Sequence, residues 1–143
     1  MNPDIRIISV LLRITSDFGH GGTASDYRID ADGKGYKVTR QLSRSFPSPG
    51  ERVFTPYART TAIKKSKRQV EEFLGRLAQE FNVFALSDLQ SPHPYLHPTF
   101  YSFGFRDAAG REHGFRYKIE GSHHLDSRYQ ELVEAFRSFF EGG

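Results

Sequence analysis

Cysteine is absent from the 143 residues, and so is tryptophan. Without a thiol the chain has no disulfide framework, no thiolate metal site and no cysteine nucleophile. Long hydrophobic runs are missing too. Residues 5–14 are rich in Ile, Val and Leu, but Arg6 and Arg13 interrupt them and Ser9 lies between. The uninterrupted stretch is too short for a signal-peptide core or a membrane span. A cytoplasmic protein with no membrane segment is the expectation. What is present, 37% hydrophobic and 26% charged residues, suits a folded globule, and the length suits one domain spanning 1–143. The 13 Phe and 7 Tyr make it rich in rings.

Periodicity sets out the elements. Ile8, Val10, Leu12 and Ile14 alternate as the inward face of a strand over roughly residues 5–18. The glycine loop Gly19-His20-Gly21-Gly22 follows, then a strand with Tyr27 and Ile29 inward. Asp32-Gly33 signals a two-residue hairpin turn, because both residues tolerate positive φ. The return strand, to about Leu42, is expected to place Tyr36 and Val38 inward and Lys37 and Thr39 outward. Residues 43–65 lose all periodicity and read as a long irregular basic loop with Pro47, Pro49, Gly50 and Pro56. Within it Val53 and Phe54 are candidates for a short edge strand.

Ser66 and Gln69 form a capping-box pattern at a helix start. Val70, Phe73, Leu74, Leu77, Ala78 and Phe81 then make one apolar stripe, and Asn82 is a left-handed stop. An apolar connector, Val83, Phe84, Leu86 and Leu89, leads to a proline-rich loop. Tyr101, Phe103 and Phe105 face inward on the next strand, Asp107-Ala108-Ala109-Gly110 turns, and Phe115, Tyr117 and Ile119 face inward on its partner. A last helix starts at Asp126 or Ser127, with Tyr129, Leu132, Val133, Phe136, Phe139 and Phe140 as its apolar stripe. The order β-β-β-α-β-β-α predicts an α+β domain, an antiparallel sheet with both helices packed on one face. A core of this size holds the fold without a cofactor.

Chemistry is sparse. His93 and His97 are spaced i, i+4, but Pro94 and Pro98 break the helix that would aim both at one ion. A site from His93, His97 and His123 needs two loops to meet, and loop histidines in ordinary turns are the simpler reading. His113 is in phase with Phe115 and Tyr117, as a satisfied histidine at the core's rim would be. The glycine loop runs into a strand rather than a helix N-terminus, unlike a phosphate cradle. Ser122 beside His123 has no orienting acid, and no pair of carboxylates stands out. The chain therefore reads as a non-enzyme without metal or cofactor.

Charge placement does stand out. The formal net charge is only +3. Between Lys34 and Arg68, however, ten basic residues face Glu51 alone, a net of +9, with Tyr36, Phe46, Phe54 and Tyr57 interleaved. The candidate binding residues are Arg40, Arg44, Arg52, Phe54, Tyr57, Arg59, Lys64, Lys65, Lys67 and Arg68. An acidic protein surface is the expected partner. The alternative is nucleic acid, whose counterions basic groups release and whose bases stack on rings.

A strand ending in Gly19-His20-Gly21-Gly22, a helix closing on Phe81-Asn82-Val83-Phe84-Ala85-Leu86, and the hairpin 103–111 before a final helix resemble small bacterial domains of the emfourin type. The plan is also similar to that of other small bacterial domains. The resemblance implies a non-enzymatic bacterial module, in emfourins a protein inhibitor of metalloproteases. The Asp32-Gly33 hairpin and the long basic loop depart from that pattern, and no functional residue carries over.

Overall fold

Alternating apolar residues pair into a seven-stranded sheet in the computed structural model, which describes residues 6–17, 22–41, 57–92 and 94–142. The strands are β1 (Ile7–Asp17), β2 (Gly22–Ile29), β3 (Gly35–Gln41), β4 (Tyr57–Ala62), β5 (Leu89–Gln90), β6 (Pro98–Asp107) and β7 (Glu112–Glu120). Helix α1 is Lys67–Gln79, α2 is Ser127–Glu141, and Val83–Ala85 form a 3-10 turn. The sheet order is β4-β3-β2-β1-β6-β7-β5. Every pairing is antiparallel except β5 with β7. The class is α+β, as the pattern predicts.

Two strands exceed the expected plan. Part of the stretch read as an irregular loop is β4, which pairs with β3 from Tyr36↔Ala62 to Gln41↔Tyr57. Residues 59–62 are all exposed, so this edge strand buries no apolar alternation for a sequence pattern to show. The apolar connector contains β5, pinned by Leu89↔Tyr117 and Gln90↔Lys118 and too short to have a period. Residues 42–56, including the Val53–Phe54 edge-strand expectation, lie outside the described residues.

The β2–β3 turn corrects a second expectation. The loop is the three residues Ala31, Asp32 and Gly33: the Gly33 amide donates to the Asp30 carbonyl and the Asp30 amide to the Lys34 carbonyl, each at 2.9 Å. Gly33 sits at φ 84°, the left-handed position that closes a three-residue hairpin with a bulge. A two-residue turn would set Tyr27 opposite Val38. The observed register sets Tyr27 opposite Lys37 and Arg28 opposite Tyr36. One residue of slip moves every side chain to the other face. Lys37 therefore lies on the helix side, and Tyr36 and Val38 lie on the far side, the reverse of the expected placement. A Cβ at Gly35 would meet Ile63 Cδ1 at 2.4 Å, so a larger residue there would require the Ile63 side chain to move.

The core lies between the sheet and the helices. Val10, Leu12, Tyr27, Phe103, Phe115 and Tyr117 share the buried sheet face. Phe136 of α2 meets Phe103 at 6.0 Å and Phe73 of α1 at 5.2 Å between ring centroids, which brings both helices to that face. The Ser66–Gln69 capping box forms as expected, and Asn82 takes the left-handed conformation at φ 49°. No helix among the described residues is long and apolar enough to cross a membrane.

Truncating the fully buried Phe136 to Ala is expected to cost about 3–5 kcal/mol, read as a lower denaturant midpoint. Gly33→Ala is expected to cost about 1–2 kcal/mol, since the β-carbon forces a strained turn; unchanged stability would show that the turn tolerates another register.

Candidate partner-binding surface

Among the described residues, the expected binding side chains are divided between the two sides of the sheet. Arg40 pairs with Ala24 and Ala58 on the sheet face away from the helices, whereas Arg59 pairs with Thr39 on the helix side and is exposed there. Lys64 is exposed in the connection to α1, and Lys65 sits beside it with Nζ 5.4 Å from the Phe139 ring centre. Lys67 and Arg68 are exposed on the first turn of α1, and Arg68 Nε lies 3.2 Å from Glu72 Oε1. Arg44, Arg52 and Phe54, together with Gly19–Gly21 and His93, lie outside the described residues. Tyr57 is placed in β4 by its backbone alone.

Lys37 is drawn out of the basic surface altogether. Its Nζ is ion-paired with Glu141 and lies 5.4 Å from the Tyr27 ring centre. The Tyr27 hydroxyl donates to the same carboxylate oxygen at 3.1 Å. Burial, then the Glu141 carboxylate, push the Tyr27 phenol up to about 12. Burial would raise the Glu141 carboxyl, but the Lys37 ammonium and the Tyr27 hydroxyl outweigh it and hold it below the usual range. This cluster ties the end of α2 to β2 and β3.

On the far face, the strand registers align side chains into three rows across the sheet. The first runs Ala62, Tyr36, Arg28, Leu11, Gly104 and Gly114. The second is Thr60, Val38, Asp26, Arg13, Ser102 and Arg116. The third is Ala58, Arg40, Ala24, Thr15, Phe100 and Lys118. Among the described residues, neither helix covers this face.

Several of its cations are held in place. Asp26 takes two hydrogen bonds from Arg13, at 2.8 and 3.0 Å, and is itself only 8% exposed. Arg28 lies 5.2 Å from the centre of the Tyr36 ring and 3.1 Å from Asp30. Lys118 Nζ sits 4.4 Å from the Tyr95 ring centre and 4.8 Å from that of Phe100. Phe100 is 39% exposed and Leu11 36%. Beside Leu11, the missing side chains of Gly104 and Gly114 leave an open groove of about 530 Å³, bordered by Arg28, Arg106 and Glu112.

Arg13, Arg28, Arg116, Lys118 and Phe100 were outside the expected site, yet their signal is present in the chain. Phe100 is in phase with Ser102 and out of phase with Tyr101 and Phe103, which marks a ring on a polar face. A linear window of charge cannot gather residues from β1, β6 and β7. Only pairing does that.

Two of the described histidines make ring contacts that tie elements together. His113 Nε2 is 2.7 Å from the Leu86 carbonyl at the core's rim, as its phase predicts. The two histidine loops do meet: the His97 amide donates to Glu120 Oε1 at 2.9 Å, and the His123 amide to the Glu120 carbonyl at 2.9 Å. No three His, Asp or Glu side chains among the described residues are grouped to hold a metal ion. Burial lowers the His124 pKa, and its Nδ1 lies 3.0 Å from the Tyr117 hydroxyl.

Because the Glu141 pKa is depressed in the folded state, its stabilisation is complete above the ordinary carboxylate value and lost as pH falls through the folded value. Glu141→Gln is therefore expected to lower the melting temperature at pH 7. The gap from wild type should narrow below about pH 4.3, the ordinary glutamate value. A gap that stays constant from pH 7 to pH 3 would show that the ion pair contributes nothing. No protein-family model matches the chain, and no curated protein matches its sequence.

Proposed function

We propose that this chain is a non-enzymatic, cytoplasmic binding domain that takes a negatively charged macromolecule on the sheet face turned away from its helices. The observation that supports it is that face's composition. Arg13, Arg28, Arg40, Arg106, Arg116 and Lys118 share it with Asp26, Asp30, Glu112 and Glu120, so cations outnumber carboxylates there by six to four among the residues that the registers align. Arg40, Arg116 and Lys118 are the cations there with no carboxylate pair among the described ion pairs. The exposed Arg59, Lys64, Lys67 and Arg68 extend positive charge around the β4 border. A positive surface of this kind raises the encounter rate with an anionic partner, whether an acidic protein or a nucleic acid. An acidic protein is the partner that the charge argument favours, and a protein partner is in keeping with the emfourin resemblance.

Retention on immobilised heparin, a generic polyanion, tests the reading. The wild-type protein is expected to bind at low salt. Arg40→Gln/Arg116→Gln/Lys118→Gln should elute well before it. Neutralising Lys64, Lys65, Lys67 and Arg68 together should shift elution less. Wild-type protein in the flow-through at low salt would show that the face is merely solvated.

A further inference from the structure

We infer that the occupant of this face is a single-stranded nucleic acid, its phosphates on Arg40, Arg116 and Lys118 and its bases stacked on Phe100 and Tyr36. This rests on the proposal that the face binds an anionic macromolecule, and it adds what charge alone leaves unexplained. The face carries rings as well as cations. Phe100 stands on β6, in the middle of the sheet, where a phenyl 39% exposed gains nothing from the core on the opposite side. Tyr36 stands two strands beyond β1 on the same face, put there by the register of the Gly33 turn.

Each of the two rings has a cation next to it in its row. Tyr36 neighbours Arg28, and Phe100 lies between Thr15 and Lys118. By strand spacing the two rings are about 14 Å apart across the sheet, and about 13 Å apart along the strands. That span accommodates several unstacked nucleotides, crossing β2 and β1 over Ala24, Leu11 and the paired Arg13 and Asp26.

Duplex DNA fits less well, because its bases are already stacked and paired and offer no free face to an exposed ring. An acidic protein would satisfy the cations and leave the rings idle. A single strand uses both, since every base has a π-face and every linkage has a charge. The Arg13 guanidinium, fixed by two bonds to Asp26, still presents its outer edge to a phosphate without needing to be ordered on binding.

Fluorescence anisotropy of labelled oligothymidylate, about 15 nucleotides long, compared with a duplex of equal length and with polyglutamate, tests the proposal in the full chain. The single strand is expected to bind tightest. Phe100→Ala should weaken it about tenfold, and Phe100→Trp should retain it, with both melting near wild type. Arg40→Gln/Arg116→Gln/Lys118→Gln should reduce the dependence of log affinity on log salt by about 2.

If polyglutamate binds as tightly as the single strand and Phe100→Ala changes nothing, the anionic-partner reading survives and the nucleic acid is excluded in favour of an acidic protein. Equal binding of duplex and single strand, again insensitive to Phe100, likewise overturns the single-strand assignment. Failure of all three probes at low salt overturns both readings together.

Discussion

Gly33, at φ 84°, decides which side of β3 meets the helices. Its bulge places Lys37 opposite Tyr27 and Tyr36 opposite Arg28, and β4 inherits that register through Lys37↔Thr61 and Tyr36↔Ala62. On the helix side the consequence is the cluster of buried Tyr27 with Lys37 and the exposed Glu141. On the far side it is a ring and a guanidinium packed together. The tighter two-residue turn would have exchanged the two. The core would then have gained a tyrosine at the edge of the sheet, and the open face would have gained a lysine in place of a ring.

The two faces share out the aromatic residues unequally, which is how a chain with 20 rings remains one core rather than a sticky shell. Phe103, Phe115, Tyr117, Phe136 and Tyr129 interlock at centroid distances between 4.7 and 6.0 Å, through both stacked and edge contacts. Rings so packed fill the layer between sheet and helices, each occupying the space that its neighbour's flat face leaves. On the far face the rings are few, and most are accompanied by a cation. Lys118 between Tyr95 and Phe100 keeps those rings hydrated and discourages two such faces from collapsing on each other.

Elements that bury one face were legible in the sequence. The β6–β7 hairpin shows strict alternation because each second residue enters the core, and the turn at Asp107 carries its own chemistry: the carboxylate accepts from the Ala109 and Arg111 amides at 3.0 and 2.9 Å. Both helices were legible for the same reason, their caps included. β4 and β5 were not, because an exposed edge of Ala, Arg and Thr has nothing to alternate and a two-residue strand has no period. The face of β3 was misread by one position, since Asp-Gly serves both two- and three-residue turns and the choice lies in backbone geometry. The proposed surface was legible only in part. Arg40 was found from the local excess of charge, whereas Arg13, Arg116 and Phe100 lie far apart in sequence and meet only through pairing.

The two borders of the sheet also differ in how they can open. Among the described residues β4 pairs on one side only, and its residues 59–62 are exposed, so separating it from β3 forfeits backbone bonds and very little apolar burial. β7, next to the opposite border, is clamped by β6 and by buried Phe115, Tyr117 and Ile119. Amide exchange should therefore be graded across the domain, fastest at β4 and slowest near β1 and β6, because local opening costs least where least surface is uncovered. The molecule is in this sense hinged at one margin and rigid at its centre, with Phe100 on the rigid part and Tyr36 one strand in from the part that breathes.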